Sequence, residues 1–169
     1  MPSRTPLDDL IRKGAETLRA DAAQSQIDWA ERRIWWQGRV NDLYSDILEW
    51  FEPLIADKVV GVQRDPFEIH EAELGIYTAE SLTLLLEPLT FKIAPVGTLV
   101  AGGFGRADVI GRAGRAMLLL APEDDTSLMP ERRDESIWFL VRPQSHTRLI
   151  EISEMSFKQL FADLMSLSL

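Results

Sequence analysis

The chain contains no cysteine, which excludes disulfide staples, thiolate nucleophiles, cysteine-ligated zinc and iron–sulfur clusters together. Histidine is scarce. His70 and His146 are the only two and form no metal-binding pattern, so neither a zinc site nor a histidine general base has a basis in the sequence. No Gly-x-Ser-x-Gly elbow announces a serine hydrolase, and no Lys-Ser or Lys-Thr follows a glycine-rich stretch to make a phosphate loop. The strongest apolar runs, at 82–86 and 116–122, fall far short of the roughly 20 residues that cross a bilayer. Residues 1–20 lack the continuous apolar stretch of a signal peptide, and the expectation is a cytoplasmic protein with no membrane partner.

What is present suits a self-sufficient core: 169 residues, 46% of them hydrophobic. Acidic residues outnumber basic ones, 27 to 18, for a formal charge of −9. Such a surface repels a phosphate backbone and disfavours nucleic acid, whereas it suits solubility and a protein partner with a basic face.

Thr5-Pro6-Leu7-Asp8 combines a capping hydroxyl, a proline at the first helical position and a carboxylate in the first turn. With Leu7, Leu10, Ile11, Leu18 and Ala22 on one face, it predicts a helix over 6–22. Ser25 and Asp28 can restart a second, longer helix over 26–56, bending near Pro53 and ending by Gly61. Beyond Gly61 the apolar period drops to two at Phe67 and Ile69, at Leu82, Leu84 and Leu86, and at Phe91 and Ile93. Two hairpins follow, 107–110 with 115–121 across Gly111–Gly114, and 137–142 with 148–152. The stretch 123–135 reads as one charged loop. Ser153 caps a final helix whose stripe is Phe157, Leu160, Phe161 and Leu164. These elements predict an α+β fold: two N-terminal helices, one long, a mostly antiparallel sheet of about six or seven strands, and one C-terminal helix. The partition is a single domain over 1–169, with a helical part (1–61), a sheet (62–152) and a closing helix (153–169).

Three places could carry function. The first is the glycine-rich corner from Gly102 to Asp108, where Gly103 and Gly105 would let backbone amides approach an anion and Arg106 and Asp108 share a strand face. Its structural reading is a bend or bulge beside a local ion pair. Asp108 followed by the apolar strand at 117–120 resembles, over a short stretch, the metal-dependent nucleases of the PD-(D/E)xK type. The chain departs from that pattern at Leu118-Leu119-Leu120-Ala121-Pro122-Glu123, which has neither the strand glutamate nor the lysine, so the family is not assigned. The second place is the acidic segment holding Glu71 and Glu73, a spacing that aims both carboxylates to one side of a strand and suits magnesium binding or acid–base work. A solvated strand face is the plainer explanation.

The third is the cluster of tryptophans. Trp35 and Trp36 are adjacent and cannot both face the core, and with Arg39 they form a candidate protein-binding surface. The leading expectation is therefore a non-catalytic interaction domain of adaptor or immunity type, binding itself or a protein partner and needing no cofactor. The alternative is a metal-dependent hydrolase, nuclease-like, or a small-anion-binding enzyme centred on Asp108, with Arg106, Glu71 and Glu73 and a magnesium or manganese ion.

Overall fold

The computed structural model describes residues 5–72, 74–98, 103–123, 130–142 and 149–168. The fold is α+β. Helix α1 (Pro6–Ala56) is followed by strands β1 (Gly61–Glu71), β2 (Gly75–Leu86), β3 (Leu89–Gly97), β4 (Gly105–Gly111) and β5 (Gly114–Pro122). A 3-10 turn (Pro130–Glu135), β6 (Ser136–Val141), β7 (Ile150–Glu151) and helix α2 (Glu154–Leu164) complete it. The chain divides into two compact units, Met1–Trp35 and Trp36–Leu169.

In the first unit α1 starts at the expected capping box. Asp8 N–H donates to Thr5 Oγ1 at 3.3 Å, and Thr5 N–H donates to Asp8 Oδ2 at 2.9 Å. Hydrogen bonds to the carboxyl from the Thr5 backbone, and then from its side chain, hold Asp8 below the usual carboxylate range. The segments read as two helices form one element. Ser25 does not restart a helix, because the alanine-rich 20–23 favours continuation and no proline or glycine lies between Gly14 and Gly38.

The helix passes Pro53 and ends in a Schellman motif. Val59 N–H donates to Leu54 O at 2.9 Å and Lys58 N–H to Ile55 O at 3.0 Å, with Lys58 left-handed at φ 60°. Lys58, not Gly61, is thus the stop signal. Gly61 instead opens β1, with its Cα paired to Leu85.

In the second unit the seven strands form one antiparallel meander in chain order. Residues 36–56 of α1 bury Trp36, Val40, Leu43, Tyr44, Ile47 and Phe51, the i, i+4, i+7 spacing of a core-facing stripe. The sheet answers with buried rows in register. Leu82, Ile93, Val109 and Ala116 are successive cross-strand partners, as are Ala107, Leu118 and Leu140.

Helix α2 is capped by Ser153 as expected and buries the anticipated Phe157, Leu160, Phe161 and Leu164. Phe51, Phe91, Phe157 and Phe161 meet with ring centroids 5.0–6.0 Å apart, joining α1, β3 and α2. A second, smaller cluster of Leu119, Ala121, Phe139 and Val141 occupies the opposite face of β5 and β6. The charged stretch 123–135 contains a 3-10 turn beginning at Pro130, a residue pre-set for a first helical position. The hairpin connection at 143–147 lies outside the described residues.

Candidate functional site

Each residue singled out in the sequence has a definite place, beginning with the glycine corner. The register irregularity of this region lies on the neighbouring strand, between Pro95 and Gly97 of β3 opposite Ala107 and Arg106. Gly103 and Gly105 serve packing, which corrects their reading as an anion cradle. A Cβ at Gly105 would overlap Trp36 Cζ3, with Cε3 and Cη2 of the same ring at 2.7 and 3.0 Å. One at Gly103 would lie 2.6 Å from Leu119 Cδ1 and from Leu120 O. Bare backbone is therefore required for the indole and β5 to lie this close.

Trp36 cannot present a binding surface. It is 0% exposed, packs 5.9 Å from Trp138, and belongs to the core over β4. Trp35 keeps part of its side chain in solvent, as helical geometry requires when its neighbour points inward. Arg39 is half-buried and donates through one guanidinium nitrogen to Ser136 O at 2.7 Å, tying α1 to the start of β6. It is a tether.

Glu71 acts as a clip. Its Oε2 accepts from Tyr77 Oη at 2.6 Å, and its Oε1 accepts from the backbone N–H and the hydroxyl of Thr98 at 2.6 and 3.1 Å. These donors occupy a carboxylate that a metal or a proton-transfer role would need open. Glu73 lies outside the described residues. Among the described residues no three His, Asp or Glu side chains come together in a group able to hold a metal ion.

Arg106 and Asp108 form the expected ion pair, Nε to Oδ1 at 2.8 Å. They line a cleft of about 230 Å³ together with Arg115, Ala116, Met117, Val141 and Arg142. Glu71 is not among its lining residues, so the two carboxylates proposed to act together do not share a site. Arg115 and Arg142 are the residues that sequence reasoning missed. Strand order brings them in, since β5 pairs with β4 on one side and β6 on the other.

A larger cleft of about 450 Å³ lies between α1 and the β1–β2 hairpin, lined by Trp36, Gln37, Asn41, Arg64, Glu80 and others. Its polar groups mostly bond one another. Gln37 donates to Thr78 O at 2.9 Å, and Arg64 pairs with Glu80 at 2.8 Å. Beneath it Tyr44 Oη donates to Glu80 O at 2.6 Å, and burial pushes that phenol's pKa well up.

In the first unit the residues that give α1 its sequence stripe stand in solvent. Leu7, Leu10, Ile11 and Leu18 are 67%, 65%, 69% and 72% exposed. Isolated exposed leucines are ordinary, but four on one helical face form a patch. No helix in the described residues is long and apolar enough to cross a membrane. No protein-family model matches the chain, and neither does any curated protein or solved structure.

Proposed function

We propose that this protein is a non-catalytic interaction module that works through the N-terminal turns of α1, and that a second copy of the chain is its partner. The observation that carries the reading is the row of Leu7, Leu10, Ile11 and Leu18, each about two-thirds exposed on one face. Leu7, Ile11, Gly14 and Leu18 are spaced four, three and four residues apart, which is the seam of a coiled coil.

The charges select the partner and its direction. Three carboxylates (Asp8, Asp9, Glu16) balance three cations (Arg12, Lys13, Arg19) in this stretch, so it has no net attraction for an anionic membrane. Asp8 and Arg19 stand three turns apart on the same flank, and an antiparallel copy therefore sets each Asp8 beside the other copy's Arg19. In that register Leu7 meets Leu18, and Ile11 enters the gap left by Gly14, where nothing lies within 4 Å of an added Cβ. Covering a leucine-sized side chain yields roughly 1.5–3 kcal/mol, against an association cost of about 4–15 kcal/mol, so the expected association is reversible.

Light scattering coupled to size-exclusion chromatography over a dilution series tests the reading. The wild type should self-associate on concentration, and an Ile11→Ser/Leu18→Ser variant of equal helicity by circular dichroism should not. A wild type that stays monomeric throughout would overturn it.

A further inference from the structure

Beyond that surface, the geometry points to the cleft across β4, β5 and β6 as a binding site for a small anion, a phosphate or carboxylate group carried on a compact apolar body. Three guanidiniums, Arg106, Arg115 and Arg142, line it; Asp108 in the lining pairs with Arg106 and Asp163 on α2 with Arg142, which leaves the charge of Arg115 in excess. That is a local excess of positive charge on a chain whose formal charge is −9. Binding there depends on these few side chains, because the field of the whole molecule opposes an anion.

Two of the arginines are held in place by carboxylates that leave donors over. Asp108 engages Arg106 at Nε, so the two terminal nitrogens of that guanidinium are not needed for the pair. Asp163 on α2 engages one terminal nitrogen of Arg142 at 2.6 Å. A guanidinium positioned in this way loses less freedom when it bonds a ligand. Arg115 stands on β5, between the strands that carry these two, is exposed, and has no partner among the described residues.

The rest of the lining is apolar. Met117 is the register partner of both Asp108 and Val141, and with Val141 it places hydrocarbon directly beside the charges. A cleft of about 230 Å³ has room for one phosphate or carboxylate with a few attached carbons, not for a polymer. Convergent donors beside apolar lining define a site for a small organic anion. The carboxylate in the lining, Asp108, is paired with Arg106.

The test is calorimetric titration of the full-length protein with inorganic phosphate and with phenyl phosphate at constant ionic strength, using chloride as the control. Saturable binding of both is expected, tighter for phenyl phosphate. An Arg106→Met/Arg115→Met variant, which keeps the Arg142–Asp163 pair, should lose roughly tenfold or more in affinity, the size of a charge-assisted hydrogen bond. Its thermal midpoint without phosphate should stay near that of the wild type; should it fall, the single Arg115→Met variant carries the comparison, since that side chain supports no other group. Failure of the wild type to bind, or equal binding by wild type and Arg115→Met, would overturn the assignment. Neither result bears on self-association, which is read by light scattering.

Discussion

Replacing Gly105 with alanine probes the closest fit in the core. The added methyl would overlap the Trp36 ring, with other ring atoms at 2.7 and 3.0 Å, whereas carbon atoms pack best at about 3.5–4.0 Å. Neither side can yield easily. Trp36 is 0% exposed and backed by Trp138, while Gly105 is held in the ladder opposite Leu120. Overpacking of this kind should cost about 2–3 kcal/mol, a large part of a total stability of roughly 5–15 kcal/mol. Trp36→Leu alone should cost about 3 kcal/mol by leaving a cavity, but that cavity is where the new methyl belongs. The double variant should therefore be more stable than the sum of the two losses implies, by about 1–2 kcal/mol. Urea unfolding followed by circular dichroism on all four proteins measures that coupling. The reasoning is refuted if Gly105→Ala lies within about 0.5 kcal/mol of wild type, or if the two losses simply add.

Lys58→Gly should stabilise the protein by about 1 kcal/mol in the same unfolding assay, because Lys58 holds φ 60° at the end of α1, where a Cβ is penalised. Glu71→Gln should cost about 1–2 kcal/mol, since the hydrogen bonds from Tyr77 and Thr98 lose their charged acceptor; unchanged stability would show the clip to be incidental. Arg142→Met should have a pH signature. Hydrogen bonds from Arg142 and then Gln159 hold the Asp163 carboxyl below its ordinary value of 3.8. A depressed carboxyl stabilises the fold above its unfolded value, and the gain disappears as pH falls through the folded one. The gap between Arg142→Met and wild type should thus be under about 1 kcal/mol at neutral pH, given the pair's exposure, and should close in acid.

Much of the fold could be read from local pattern. The period change after Gly61, the hairpin at 111–114 and the Ser153 cap with its stripe all recur in the structure, because each depends on neighbours within a few residues. The break expected at Ser25 failed for the same reason: a capping sequence creates no helix end where the surrounding residues favour helix.

Tertiary structure decided what the residues do. Periodicity shows that Trp35 and Trp36 face different ways, yet only the sheet determines that Trp36 is the buried one, seated over Gly105 beside Trp138. Glu71 reads as a free carboxylate until Thr98, 27 residues away, closes on it. Arg115 and Arg142 join Arg106 only once β5 lies between β4 and β6. Local spacing specifies the elements through interactions a turn or a strand pair long, whereas the partners of a side chain across the sheet depend on strand order and register, which no short window of sequence contains.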